Sequence, residues 1–127
     1  MGVGYLACDF DLLNVGHLDV IAQVLARCEE LVVGVFPDEL VARVSGRPPV
    51  VPLAERLALV SHVRGVREAV VHEATRPQEV AAEALFVMAG QELPGLARAV
   101  AVVPQRETAS VTLRGALRPE GPEAVAS

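Results

Sequence analysis

A chain of 127 residues, 52% of them hydrophobic, has the size of one ordinary domain and enough apolar material for its own core. Its formal net charge is −5 and its eleven basic residues are scattered, which excludes the basic footprint of a nucleic-acid binder. No apolar run approaches the roughly 20 residues that span a bilayer, the Met1 end lacks a basic stretch ahead of an apolar segment, and the two cysteines, Cys8 and Cys28, have neither metal-ligand spacing nor the density of a disulfide scaffold. The expectation is a cytoplasmic protein with reduced thiols and no nucleic-acid or membrane partner.

In chain order, Val3 to Ala7 is an apolar run that suits a strand covered on both faces. Polarity changes at Asp9-Phe10-Asp11. Asn14-Val15-Gly16-His17 then leads into a helical pattern whose predicted apolar stripe is Leu18, Ile21, Leu25 and Cys28. A helix N-terminus therefore falls at the carboxyl end of the first strand. Open parallel sheets bind ligands there, and unpaired helix N–H groups favour anions such as phosphate. Leu31 to Phe36 reads as a second buried strand. Pro37 suits the first turn of a short helix, with Asp38 and Glu39 at its positive end and Leu40, Val41 and Val44 on its apolar face. Ser45-Gly46-Arg47-Pro48-Pro49 is a loop, because two prolines forbid a regular helix interior, and it carries Arg47 to the surface.

Pro52 opens a third helix with Leu53, Leu57, Val60 and Val63 on its stripe, closing near Gly65. Val66 to His72 is the third strand, Pro77 starts a fourth helix, and Leu85 to Met88 is the fourth strand. Leu93 to Arg98 allows a single helical turn before a fifth apolar run, Ala99 to Val103. Thr108 or Ser110 caps a last helix ending near Leu117. The alternation predicts one α/β domain over residues 1–118, a Rossmann-like open parallel sheet of about five strands with flanking helices, followed by a frayed tail at 119–127. His62 and His72 lack partners at ligand spacing and are expected to be ordinary surface or edge residues.

Cys8-Asp9-Phe10-Asp11, with Asn14, Gly16 and His17, resembles the opening motif of the cytidylyltransferase-like nucleotidyltransferases of the HxGH type, most closely the glycerol-3-phosphate cytidylyltransferase branch. That motif reads Gly-Thr-Phe-Asp-x-x-His-x-Gly-His. Phe10, Asp11, Gly16 and His17 match it, while Cys8, Asp9 and Asn14 stand where the family has Gly, Thr and the first His. Gly34 to Glu39 is similar to the family strand ending in Asp-Glu, and Glu55-Arg56 to its arginine-bearing helix. Phe86-Val87-Met88 resembles the strand before a Gly-Asp-Asp-Trp run, although Ala89-Gly90-Gln91-Glu92 follows here. The closing signature, Arg-Thr-Glu-Gly-Ile-Ser-Thr-Thr, lies on Gln105 to Thr112, keeping Glu107, Ser110 and Thr112.

The resemblance implies transfer of CMP from CTP, with Mg²⁺, to a small phosphorylated alcohol such as glycerol 3-phosphate, releasing pyrophosphate, in a homodimer. His17 would donate to phosphate oxygens as charge grows on them. Asn14 would either supply a neutral amide donor or simply cap the helix. Cys8, Asp9, Phe10, Gly16, Arg106, Ser110 and Thr112 would line the nucleotide, with Cys8 crowding the phosphates and Asp9 standing as a solvated loop acid or a metal ligand. Arg47 and Arg56 would face the substrate phosphate, although Arg56 could equally form a structural salt bridge. The departures favour an alternative, a catalytically degenerate homologue that binds nucleotide or serves a regulatory or structural role.

Overall fold

The computed structural model describes residues 2–73, 82–92 and 98–105. Five strands, β1 (Val3–Cys8), β2 (Glu30–Val35), β3 (Val66–Val71), β4 (Ala84–Met88) and β5 (Val100–Val102), form one parallel sheet in the order β3-β2-β1-β4-β5. β1 sits in the middle, with Leu6 beside Val33 of β2 and Phe86 of β4. Three helices are described: α1 (Val15–Leu25), α2 (Asp38–Ser45) and α3 (Leu53–Ser61). The Rossmann-like α/β architecture anticipated from the strand–helix alternation is therefore the observed one. Of the helix expected from Pro77 through Val80, Ala81 and Ala84, residues 77–81 lie outside the described residues, and Ala84 is corrected to the first residue of β4, where it pairs with Gly4 of the central strand. Residues 93–97 of the turn expected after Leu93 and the last helix with its tail lie outside the described residues as well.

The uninterrupted apolar strands follow from burial on both faces of the sheet. One face carries Leu6, Cys8, Leu31, Val33, Val35 and Phe86, packed with Val20, Ile21 and Val24 of α1 and Val60 of α3. The other carries Tyr5, Ala7, Val32 and Val87, packed with Phe36 and with Leu40 and Val41 of α2. At Gly34 a side chain would collide with Tyr5, because a Cβ there would lie 1.7 Å from the phenol oxygen. The glycine makes room for a large ring in the middle of the sheet.

Local differences from the expected pattern have physical causes. α1 buries His17, Val20, Ile21 and Val24, whereas Leu18 is exposed. Of the expected stripe, Ile21 and Cys28 are buried and Leu25 packs against the core, so Leu18 alone departs from it, because the helix is apolar on most sides and the buried face is centred on Val20, Ile21 and Val24. Pro37 and Pro52 act as N-caps in extended conformation and not as first-turn residues. α2 ends on Gly46 at φ +86°, the left-handed cap conformation that favours glycine. His72 corrects the surface assignment. It is buried at the end of β3, with Nδ1 2.6 Å from the Tyr5 hydroxyl and its ring tilted against Phe36. Among the described residues no helix is long and apolar enough to cross a membrane.

Candidate active site

The turn from β1 into α1 builds the site. Asn14 caps α1: its Oδ1 accepts from the Gly16 N–H at 2.8 Å, and its Nδ2 donates to the Leu12 carbonyl at 2.8 Å. His17 completes the cap from the other side, its Nδ1 accepting from the Asn14 N–H at 3.1 Å. That bond fixes the tautomer. With Nδ1 an acceptor, the neutral ring carries its proton on Nε2, which faces Asp9 at 3.8 Å from Oδ1. Phe10 is buried beneath this arrangement, its ring 5.8 Å from the imidazole, and both Phe10 (φ 53°) and Leu12 (φ 52°) adopt the left-handed conformation that non-glycine residues rarely hold.

Asp9 is not the solvated acid expected from its place in a loop; its side chain is 18% exposed. Its Oδ1 accepts from the Asp11 N–H at 3.0 Å, and its own N–H donates to Gln91 Oε1 at 2.9 Å. Burial pushes the carboxyl toward the neutral form, but the interactions with His17, the Asp11 N–H and Gln91 outweigh it and leave Asp9 below the ordinary value. Cys8 lies at the end of β1, fully buried, with Sγ 3.5 Å from Met88 Sδ. Burial first, and then the neighbouring Asp9 charge, raise its thiol well above the usual value, so it is a protonated core residue and not a nucleophile.

Asp11 and Arg56 hold the loops around this turn. Both Asp11 carboxylate oxygens accept backbone N–H groups, from Val50 at 2.9 Å and Val51 at 2.8 Å, which ties the loop bearing Arg47 to the β1–α1 turn. Arg56 is 0% exposed. Its Nε donates to the Val51 carbonyl, its Nη1 to the carbonyls of Asp9 and Phe36, and its Nη2 to the Asp38 carboxylate. The expected contact with a substrate phosphate is thereby corrected: the guanidinium faces inward and positions the ends of β1 and β2.

Together these segments surround an open cleft of about 1250 Å³. Asp9, Asn14, His17 and Gln91 give it a polar side, and Arg47 lies at its exposed edge. The structure thus brings His17, Asn14, Asp9 and Arg47 together around one space, while Gly16 and Phe10 support it from within. Arg106, Ser110 and Thr112 lie outside the described residues. Two contributors escaped the sequence reading. In the sequence Gln91 stands only as a departure from an acidic run, and Asp11 as a motif match with no role of its own.

Cys8, Asp9 and His17 offer ligand atoms within 4.8 Å of one another. Mg²⁺ prefers oxygen ligands in octahedral array, and a thiol, an imidazole N–H and one carboxylate do not supply them. For any ion the His17 tautomer is unfavourable as well, since Nε2 holds a proton and Nδ1 is engaged by Asn14. Among the described residues, this group does not fit a resident Mg²⁺.

A parallel sheet with a capped, histidine-bearing helix start at the crest of its central strand defines an α/β domain whose site lies at the strands' carboxyl ends. The cytidylyltransferase-like family model matches residues 5–111, and the chain belongs to that family. It is 39% identical over 66 residues to an ethanolamine-phosphate cytidylyltransferase of Arabidopsis thaliana, covering 52% of this chain and 15% of that protein. Over 74 residues it is 35% identical to the FAD synthase of Pyrococcus abyssi (58% of this chain, 48% of that one), and over 53 residues 47% identical to the bifunctional protein HldE of Halorhodospira halophila (41% and 11%). The chain thus spans less than half the length of each of these three relatives. A lipopolysaccharide core biosynthesis protein from Thermoplasma volcanium shares the fold, with a TM-score of 0.64 at 24% identity, over 80% of this chain and 93% of that one.

Proposed function

We propose that this protein is a cytidylyltransferase-type nucleotidyltransferase that moves CMP from CTP to a small phosphorylated alcohol, glycerol 3-phosphate being the representative acceptor. An oxygen of the acceptor phosphate attacks the α-phosphorus, a new P–O bond forms, and the bond to the β-phosphate breaks with its electron pair leaving on pyrophosphate. No enzyme nucleophile is required. The observation that carries this reading is His17 lining the cleft with its tautomer fixed, so that the protonated Nε2, 3.8 Å from Asp9 Oδ1, lies beside the space where negative charge would grow. Arg47 at the cleft's edge would neutralise part of the phosphate charge. Mg²⁺ enters as part of the triphosphate substrate, and Arg106, Ser110 and Thr112 complete the proposed nucleotide contacts. The reading includes a cytoplasmic homodimer.

The test is pyrophosphate release with CTP, ATP and GTP over a panel of phosphorylated alcohols. Turnover with CTP is expected, and His17→Ala should lower kcat by about 10²–10³-fold, the usual effect of losing one such donor. A second reading, a nucleotide-binding homologue without turnover, is favoured by the engagement of the Asn14 amide in the helix cap and by Asp9 in the phosphate-facing loop. CTP binding without pyrophosphate release on any acceptor would select it. Absence of binding to every triphosphate at millimolar concentration would reject both.

A further inference from the structure

Besides its polar side the cleft has an apolar wall that the family chemistry leaves unexplained. Leu12, Val50 and Leu59 all line it, and they are 42%, 70% and 50% exposed. They come from three segments, the β1–α1 turn, the loop before α3 and α3 itself. Two of them are held in place by bonds that leave their side chains outward. Leu12 is in the left-handed conformation, which costs a non-glycine residue on the order of 1–3 kcal/mol, and yet its side chain contributes to neither core cluster. The Val50 N–H is clamped by Asp11. A strained leucine and a clamped valine that line the same concave space as His17 describe a pocket of mixed polar and apolar lining, the usual composition of small-molecule sites.

We propose that this wall binds an apolar portion of the acceptor, so that the preferred substrate is an amphiphilic phosphate ester with an alkyl or aryl group in place of a polyhydroxylated chain. The assignment to an acceptor rests on the nucleotidyltransferase reading; the binding preference itself does not. A concave space with convergent polar groups favours a small ligand over a second copy of the chain, which would meet a flatter apolar patch. Burying one methylene against Leu12, Val50 and Leu59 is worth about a threefold to fourfold gain in affinity, whereas a hydroxyl there would lose its water partners.

The experiment is direct titration with inorganic phosphate, glycerol 3-phosphate and the n-alkyl phosphates from ethyl to hexyl, with no nucleotide present. Affinity should rise about threefold per added methylene until the wall is covered. The double variant Val50→Ser/Leu59→Ser should flatten that dependence while leaving binding of inorganic phosphate unchanged, because both side chains are exposed and the Val50 contact to Asp11 is through backbone. An affinity independent of chain length overturns the proposal, and so does a slope that survives the double variant. Loss of a concentration-dependent dimer in the double variant, with no alkyl-phosphate binding by the parent, would assign the wall to a second copy and overturn it as well. Failure of CTP turnover would instead strike the nucleotidyltransferase reading and leave the chain-length result standing.

Discussion

Arg56 and His72 are two of the polar side chains buried near the carboxyl ends of the strands, and their surroundings could hardly differ more. Arg56 has hydrogen bonds from Nε, Nη1 and Nη2, to three carbonyls and a carboxylate contributed by the ends of β1 and β2, the start of α2 and the loop before α3. The His72 imidazole has one bond, to Tyr5, and its Nε2 is buried with no hydrogen-bond partner among the described residues. A satisfied buried charge joins segments that would otherwise separate. A half-satisfied imidazole is instead a place where a proton can enter only at the expense of the fold.

The contrast is broken most severely at Arg56. Arg56→Ala strands the carbonyls of Asp9, Phe36 and Val51 and opens a cavity, and should cost about 3–5 kcal/mol in a denaturation midpoint measurement. Arg56→Lys should recover only part of this, since one ammonium cannot reach four separated acceptors.

Acid acts next, through His72. Burial lowers its pKa from the ordinary 6.5 to about 4. Between those values the unfolded chain binds a proton that the folded chain does not, so stability falls as pH drops from above 6.5 toward 4, by up to roughly 3 kcal/mol. Asp9 lies outside this window. Its folded pKa is lowered, so its contribution is present above the usual carboxylate value and is lost only as pH falls through the lower one. Urea titrations at several pH values should therefore show a slope between pH 6.5 and 4 that His72→Phe removes; the same slope in that variant would assign the effect elsewhere. The smallest effect is expected from Gly34→Ala. The new methyl would overlap the Tyr5 hydroxyl and its ring carbon Cζ, so the buried ring must move and its bond to His72 breaks, a cost of about 1–3 kcal/mol that leaves the Arg56 network untouched.

Much of the architecture was legible because parallel strands buried on two faces announce themselves as apolar runs, and because Pro37, Pro52 and the Ser45–Pro49 loop punctuate them. The helix start at Asn14 was legible for a similar reason, since cap residues act on their immediate neighbours. What could not be read was convergence. Whether Arg56 meets solvent or three carbonyls depends on where the ends of β1 and β2 come to rest, and whether His72 is covered depends on Tyr5, 67 residues away. Asp9 was misjudged as solvated on the same ground, because Gln91, which meets its backbone, arrives from beyond β4. The apolar wall at Leu12, Val50 and Leu59 was invisible because each residue reads as ordinary core material until its neighbours are placed.

The strand order has a consequence for how this chain acquires its structure. β1 pairs with β2 across a short interval, Val3 beside Glu30, but its other edge waits for β4, with Gly4 beside Ala84. Contacts of such different sequence separation are closed at different times, because the entropy of loop closure must be met before long-range pairing returns anything. The β1-α1-β2-α2-α3-β3 half is therefore expected to assemble first, leaving Tyr5, Leu6 and Ala7 on an open strand edge until β4 emerges and docks. During synthesis that bare apolar edge, destined for the centre of the sheet, is expected to be open to pairing with another chain.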